Sequence, residues 1–165
     1  IDTGECVHTL HGHSYWVFSV VYSPKGDQIA SGSDDSTVRL WDVDTGECVR
    51  TLEGYRGTIR DAVYSPKGDR IASGGEDKMV RVWDVDTGEC VHALKGHGYW
   101  IRSVVYSPDG DWIISGSDDK SVKIWNVKTM QCQTTILGFS GVVSSVAFES
   151  NFGTECLATY RKSVV

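Results

Sequence analysis

The chain has 165 residues and a formal net charge of −6, from 16 Lys and Arg against 22 Asp and Glu. This acidic balance argues against a nucleic-acid binder driven by bulk charge, because such domains carry a basic excess. The apolar runs are far shorter than the roughly 20 residues that cross a bilayer, so a membrane is not expected as a partner either. A chain of this length predicts one compact domain or a piece of a larger one.

An internal repeat decides the organisation. The string Asp-Thr-Gly-Glu-Cys occurs at Asp2–Cys6, Asp44–Cys48 and Asp86–Cys90, and a degraded copy follows at Lys128–Cys132. The period is about 42 residues, within the ~40–45 range of a four-stranded propeller blade. The three prolines and the tryptophans Trp41, Trp83 and Trp125 each hold one fixed position of this repeat. The repeat is therefore the unit of the fold.

Each copy predicts strands in the same order. The alternating segment Glu5–Leu10 is followed by strands at Val17–Tyr22, Ile29–Gly32, Thr37–Val43 and Glu47–Leu52. Pro and Gly in Ser23-Pro24-Lys25-Gly26-Asp27 are typical of a β-turn. Four short strands form a sheet that cannot bury both of its faces alone, so stacking of such sheets around an axis is expected.

Several short motifs recur in register with these strands. Gly12-His13, the turn Ser23–Asp27, Ser31-Gly32-Ser33-Asp34-Asp35 and Trp41-Asp42 resemble the WD-repeat β-propeller family over essentially the whole chain. Copies this alike also resemble the regular WD arrays of fungal and cyanobacterial NACHT-type signalling proteins. The resemblance implies an all-β propeller of four 42-residue repeats, each a blade of four antiparallel strands.

The order of the strands divides the chain into blades. Residues 1–165 are expected to form a single propeller domain or a segment of one, with complete blades at 17–52, 59–94 and 101–136. Residues 143–165 begin a fourth blade and residues 5–10 are an outer strand without a blade, so this blade is split between the termini. Most members of the family have seven blades. We therefore expect missing blades of a longer chain, or self-association as a two-fold dimer that completes a larger ring.

The resemblance also implies a buried hydrogen-bond chain of His, Ser, Asp and Trp in each blade. A Ser-His-Asp set could instead suggest a nucleophilic triad. The set repeats in each blade, however, and no Gly-x-Ser-x-Gly elbow is present, so no catalytic residue is expected. The fourth copy offers only Phe139 and Thr159 at these positions, and the second has Tyr55 in place of His. The expected structural residues are His13, Ser31, Asp35 and Trp41, then Ser73, Asp77 and Trp83, and then His97, Ser115, Asp119 and Trp125.

Neither the histidines nor the cysteines indicate a metal site. His11 and His13 are close in sequence, but Lys95 replaces His11 in the third copy, and no metal or other cofactor is expected. Cys6, Cys48, Cys90 and Cys132 hold one position on different blades, too far apart for a disulfide. Five cysteines without a Cys-x-x-Cys pair fit reduced thiols and a cytoplasmic location.

The positions that vary between copies indicate the functional surface. They flank the β-branched residue that opens each first strand, or precede the turn Asp, and the resemblance implies that they line the partner-binding face. Trp and Arg are enriched in binding hot spots. The alternative is that Trp16 and Trp100 pack between blades. The predicted binding residues are Tyr15, Trp16, Phe18 and Asp34, then Thr58, Arg60 and Glu76, then Tyr99, Trp100, Arg102 and Asp118, with Val142 and Ser144 from the fourth copy.

The leading functional prediction is a non-catalytic module that binds a protein or peptide through this loop-rich face. A second interpretation is a carbohydrate-binding propeller in which exposed Trp and Tyr stack on sugar rings. A third is an engineered or purely structural repeat array, against which Tyr55 and the degraded fourth copy argue.

Overall fold

The computed structural model describes residues 4–148 and the backbone of residues 156–160, and every regular element in these ranges is a β-strand. Within them there is no helix long and apolar enough to cross a bilayer. The strands form three four-stranded antiparallel sheets and one two-stranded sheet, each in sequence order. The all-β class and the repeated four-stranded sheet are as the sequence predicts.

The strand bounds repeat with the period of the sequence. The first sheet consists of β1 (Val17–Tyr22), β2 (Gln28–Ser33), β3 (Val38–Asp42) and β4 (Cys48–Leu52). The second consists of β5 (Ile59–Tyr64), β6 (Arg70–Gly75), β7 (Met79–Asp84) and β8 (Cys90–Lys95). The third consists of β9 (Ile101–Tyr106), β10 (Trp112–Ser117), β11 (Val122–Asn126) and β12 (Gln131–Ile136). The two-stranded sheet consists of β13 (Val143–Phe148) and β14 (Cys156–Tyr160).

Side chains close the turn between the first two strands of each four-stranded sheet. In the first sheet Ser23 Oγ donates to Asp27 Oδ1 at 2.7 Å, and the backbone N–H of Ser23 donates to Gln28 O at 2.8 Å. Gly26 adopts φ of +77°, a conformation that L side chains rarely adopt. The turn residues therefore fix the β1–β2 hairpin and its register.

Successive sheets pack through β1, β5, β9 and β13, which contact one another in turn. At each junction a β-branched side chain of one sheet enters a space that a glycine leaves in the sheet before it. A Cβ on Gly32 would lie 2.8 Å from Ile59 Cγ2, and one on Gly74 would lie 2.5 Å from Ile101 Cγ2. Gly116 receives Val143 in the same way. These glycines allow the sheets to approach closely.

Gly74→Ala should therefore lower the free energy of unfolding by about 1–3 kcal/mol, the usual cost of overpacking a close-packed interface. Gly98→Ala is the matched control, because its nearest neighbour would be Asp119 Cβ at 3.8 Å. Urea unfolding of the two variants provides the comparison. Equal stability of Gly74→Ala and Gly98→Ala would contradict the close packing of Ile101 on residue 74.

One face of β1 is not covered by another sheet. Val17, Val20 and Tyr22 are 47%, 63% and 60% exposed. Their counterparts in the second sheet are buried: Ile59, Ala62 and Tyr64. The same positions that bury an inter-sheet junction elsewhere thus form an apolar surface on the first sheet. Self-association through this surface, or its burial by further blades, stays a prediction.

Residues 5–10 differ from the expected outer strand, because they belong to no strand in the structure. An outer strand here would need the third strand of the incomplete blade, which was expected near residues 163–165, outside the described residues. The segment instead runs along the first sheet, where His8 Nε2 lies 2.9 Å from Asp44 O. Its assignment to a split blade stays a prediction.

Candidate functional site

The first and third sheets contain the same chain of four hydrogen-bonded side chains. In the first sheet Trp41 Nε1 donates to Ser31 Oγ at 2.8 Å, Ser31 Oγ lies 2.7 Å from His13 Nε2, and His13 Nδ1 lies 2.8 Å from Asp35 Oδ2. The corresponding distances in the third sheet are 2.9, 2.8 and 2.8 Å. There the residues are Trp125, Ser115, His97 and Asp119.

The donor and acceptor groups of the side chains determine the direction of the hydrogen bonds in each of these two sheets. An indole N–H can only donate, so the Ser115 oxygen accepts from Trp125 and its O–H donates to His97 Nε2. The neutral His97 then donates Nδ1–H to Asp119. Burial lowers the pKa of His97 more than Asp119 raises it, which favours this neutral imidazole. The Ser115 hydroxyl and both ring nitrogens of His97 are therefore occupied by hydrogen bonds within the third sheet.

These hydrogen bonds argue against a catalytic serine and against a metal-binding histidine. Ser31 Oγ accepts from Trp41 while it is bonded to His13, and both ring nitrogens of His13 have partners. A nucleophilic serine would have to leave an indole donor unsatisfied. Metal ligation by His13 would require loss of its bond to Ser31 or to Asp35.

In the second sheet the chain of hydrogen bonds ends at a different group, because Tyr55 occupies the position of the histidine. Trp83 Nε1 donates to Ser73 Oγ at 2.7 Å, Ser73 donates to Tyr55 Oη at 3.4 Å, and Tyr55 donates to the carbonyl of Met79 at 3.2 Å. Burial raises the pKa of Tyr55, so the phenol stays protonated as a donor. The chain therefore ends on a backbone carbonyl rather than on Asp77.

Asp77 has another partner, Arg81, which the sequence analysis did not single out. Arg81 Nε and Nη2 both lie 3.0 Å from Asp77 Oδ2, and the guanidinium lies 4.9 Å from the centre of the Tyr55 ring. Arg39 holds the same repeat position in the first copy, where His13 binds the turn Asp, so the signal in the sequence is the loss of His, which leaves the turn carboxylate to another partner.

The fourth copy lacks this chain. The strand register pairs Val146 with Ala158, as it pairs Val20 with Ser31, so Ala158 rather than Thr159 holds the hydroxyl position. The side chain of Thr159 lies outside the described residues. Phe139, at the His position, packs half-buried against the core beside Val143 and Val146.

The predicted binding residues meet across the loop end of the first three sheets. Arg60 Nη2 donates to Glu76 Oε1 at 2.7 Å, and Arg102 binds both oxygens of Asp118 at 2.7 Å each. Each arginine is the second residue of the first strand of its sheet, and its carboxylate partner precedes the turn Asp of the same sheet. The two guanidinium groups are therefore held in position by their own sheets.

Arg60 lies near aromatic rings of the sheets on both sides, and Arg102 lies near an aromatic ring of its own sheet. The Arg60 guanidinium lies 4.4 Å from the centre of the Phe18 ring and 5.7 Å from that of the Trp100 ring, and the Arg102 guanidinium lies 5.5 Å from the centre of the Trp100 ring. Cations within about 6 Å of a ring centre are attracted to its face. We call Phe18, Arg60, Trp100 and Arg102 the aromatic–arginine stack. It crosses three sheets.

Other aromatic side chains project beside the aromatic–arginine stack. Trp16 is 78% exposed, whereas Trp100 is only 36% exposed and has both arginines within 6 Å of its ring centre. Tyr15 and Tyr99 are also exposed, and Lys78 Nζ lies 5.4 Å from the centre of the Tyr99 ring. Trp16 therefore has the free surface expected of a binding residue, and Trp100 combines exposure with inter-sheet contact.

Thr58 was predicted to line the partner-binding face, but its side chain does not face solvent. It is buried, and its hydroxyl donates to Asp34 of the preceding sheet. Phe18 cannot pair with Asp34 as Arg60 pairs with Glu76, so this carboxylate reaches the next sheet. Val142 is exposed and Ser144 is half-buried in the fourth copy.

Three segments of the chain match a known protein family. The family model "WD domain, G-beta repeat" matches residues 4–42, 46–84 and 88–126, which is more than half of the chain. The chain belongs to the WD-repeat family. Each matched repeat contains the first three strands of one four-stranded sheet, while β4 and β8 fall in the match that follows their own sheet and β12 lies outside the matches.

Known WD-repeat relatives match only part of the chain. It is 54% identical over 43 residues to a nuclear distribution protein PAC1 of Arthroderma otae, covering 26% of this chain and 9% of that protein. It is 55% identical over 38 residues to a Notchless protein homolog of Arabidopsis thaliana, covering 23% and 8%. It is 51% identical over 37 residues to the vegetative incompatibility protein HET-E-1 of Podospora anserina, covering 22% and 3%.

Solved WD-repeat structures share the fold at low identity. The structure of U3-55K aligns with a TM-score of 0.80 and 23% identity, over 83% of this chain and 44% of that chain. The WD40 repeats of RRP9 align with the same score and identity, over 83% and 43%. The chain thus spans less than half of these solved chains.

Asp61 is a further bridging residue of the WD-repeat fold that the sequence analysis missed. Its carboxylate accepts from Ser19 Oγ of the first sheet at 3.0 Å and from the Val104 N–H of the third sheet at 2.9 Å. Burial raises the pKa of Asp61 more than these hydrogen bonds lower it. The equivalent positions 19 and 103 of the other copies hold serine. An Asp at a repeat position that otherwise holds serine is the sequence signal that could have identified Asp61.

Proposed function

We propose that this WD-repeat chain is a non-catalytic module that binds a protein or peptide across the aromatic–arginine stack. The observation that supports the proposal is the continuous run of Phe18, Arg60, Trp100 and Arg102, beside an almost fully exposed Trp16. Membership of a family whose members are in general interaction scaffolds supports the same class of function.

The stack has the physical properties of a binding surface. Tryptophan, tyrosine and arginine dominate binding hot spots because they combine large apolar area with directional polar contacts. Glu76 and Asp118 hold the two guanidinium groups, so little side-chain freedom remains to be lost when a partner binds. A face organised in this way favours a partner that offers apolar side chains between hydrogen-bonding groups.

The charges on this face indicate the chemical class of the partner. Glu76 and Asp118 compensate the charges of Arg60 and Arg102, whereas the exposed Asp34 adds a negative charge beside Trp16. A basic or donor-rich segment fits this arrangement. Its attraction to an exposed carboxylate should weaken as salt is added.

Trp100→Ala should weaken binding of a selected peptide by at least about 2 kcal/mol, the usual hot-spot threshold. The variant removes the ring on which both arginines rest. Trp16→Ala should have an effect of similar size, because this ring offers the largest free aromatic area. Peptides selected from a displayed random library against the wild-type chain, measured by calorimetry against each variant, provide the test.

Trp112→Ala is the matched control, since Trp112 lies at the turn end of β10, where its carbonyl accepts from Ser107. Peptides that bind Trp16→Ala and Trp100→Ala as well as wild type would contradict the proposal. A glycan array measured in parallel separates the carbohydrate alternative: a sugar signal that Trp16→Ala abolishes would replace the peptide as the ligand.

A further inference from the structure

A cleft opens between the second and third sheets at the turn end of the molecule, away from the aromatic–arginine stack. Its volume is about 510 Å³, within the roughly 300–1,000 Å³ typical of small-molecule sites. Tyr106, Val91, Val127 and Met130 provide much of the wall, with Arg70 and His92 among the polar residues. This cleft has a counterpart between the first and second sheets with which it can be compared position by position.

The counterpart is much smaller, at about 170 Å³. Both clefts are lined by the same turn positions, Ser23 to Gln28 in one and Ser65 to Arg70 in the other. The difference in size therefore arises from the side chains that close the smaller cleft and fail to close the larger one.

The first such difference is at the tyrosine of the innermost strand. Tyr64 donates to Gln28 Oε1 of the preceding sheet at 3.4 Å. Arg70 replaces the glutamine at the next junction and pairs instead with Asp84 at 2.8 Å. The hydroxyl of Tyr106 is consequently buried without a hydrogen-bond partner among the described residues.

The second difference is at the hairpin turn of the outer strands. Arg50 reaches over Gly88 and donates to Thr87 O at 3.1 Å, which closes the first junction. At the second junction Met130 occupies the glycine position with φ of 54°. His92, equivalent to Arg50, makes no side-chain hydrogen bond within the described part of the chain. Both closing contacts are thus lost at one junction.

Six charged residues line the larger cleft, three of each sign: Lys67, Asp69, Arg70, Asp109, Asp111 and Lys128. Lys128 lies 3.0 Å from Asp111, and Arg70 is held by Asp84. Val82, Val91, Val127 and Met130 supply the apolar part of the wall, and burial raises the pKa of Tyr106, which keeps its phenol a donor at neutral pH. Tyr106 Oη is an unpaired donor in a cleft that combines apolar side chains with equal numbers of positive and negative charges, which calls for an acceptor on an uncharged ligand.

We propose that this inter-sheet cleft binds an uncharged small molecule whose apolar body packs on Val91, Val127 and Met130 and whose carbonyl oxygen accepts from Tyr106 Oη. The ligand supplies the acceptor that Gln28 supplies to Tyr64 at the first junction. The site is independent of the face that binds a protein or peptide.

N-benzylacetamide is the probe, and titration into the full chain should shift the amide resonances of residues 70, 91, 106 and 130 in two-dimensional NMR spectra. Tyr106→Phe should weaken its binding at least about threefold, as expected for one lost neutral hydrogen bond. Arg70→Gln should also weaken binding, because the new side chain offers Tyr106 the acceptor found at the first junction. Tyr64→Phe is the matched control and should bind like wild type.

Tyr106→Phe removes a hydroxyl that has no partner, so its melting temperature should be equal to or above that of wild type. Absence of shifts at these residues with millimolar N-benzylacetamide would overturn the proposal. Equal affinity of Tyr106→Phe and wild type would overturn it as well. Tighter binding of the charged analogues phenylacetate or benzylamine would show that the ligand class is wrong.

Discussion

Trp41→Ala should lower the free energy of unfolding by about 3–5 kcal/mol, the usual cost of truncating a buried tryptophan. Trp41 is only 2% exposed, and its indole donates to Ser31. Truncation both empties a core site and leaves the Ser31–His13 pair without its donor. Urea or guanidinium unfolding, monitored by circular dichroism, measures the loss.

Trp16→Ala provides the comparison within the same sheet. Its ring is largely in solvent, so the free energy of unfolding should change by no more than about 0.5 kcal/mol, as for most surface substitutions. A destabilisation of Trp16→Ala as large as that of Trp41→Ala would show that Trp16 is part of the packing. The proposed binding face would then lose its most exposed member.

Asp35→Ala should lower the free energy of unfolding by about 2–3 kcal/mol at neutral pH, the upper range for leaving buried donors unsatisfied. Asp35 accepts from His13, from the Ser14 N–H and from both the N–H and the hydroxyl of Thr37. Asp77→Ala should cost about half as much, because its carboxylate serves only the Met79 N–H and Arg81. Equal losses of unfolding free energy in the two variants would contradict the different hydrogen bonding of Asp35 and Asp77.

The pH dependence of stability should separate these two aspartates. Burial would raise the pKa of Asp35, but bonds from Thr37, His13 and Ser14 together lower it to about 2 from an ordinary 3.8. Its stabilisation is therefore complete above pH 3.8 and lost as the pH falls toward 2. Burial raises the pKa of Asp77, so the folded state binds that proton more tightly and acid does not remove stability there. Melting temperatures between pH 5 and pH 2 should fall less steeply for Asp35→Ala than for Asp77→Ala.

The sequence predicted the repeated parts of the fold well because each copy supports the others. The bounds of β1 and the wiring of Trp41 to Ser31 follow from positions that recur at the same spacing. A strand at residues 5–10 was expected from alternation alone, yet strand formation also needs an edge to pair with. The segment carries the pattern and forms no strand.

The candidate face was predicted as a set of positions but not as an arrangement. Variation between copies identified Phe18, Arg60 and Trp100, whereas the order in which rings and cations alternate depends on distances between neighbouring sheets. Thr58 was misjudged for the same reason. The side chain of Thr58 is buried where it binds Asp34 of the preceding copy. Comparing the residues at a single repeat position cannot reveal a contact between two different positions.

The glycine junctions between sheets have a consequence for how such a chain can change in length. Ile59 fits Gly32, Ile101 fits Gly74, and Val143 fits Gly116, so each unit presents the same shape to its successor and accepts the same shape from its predecessor. Duplication or deletion of one 42-residue unit by recombination would create a new boundary with the same fit. Thr159 takes the glycine position in the register of β14, so this interchangeability holds among the first three units and stops at the fourth.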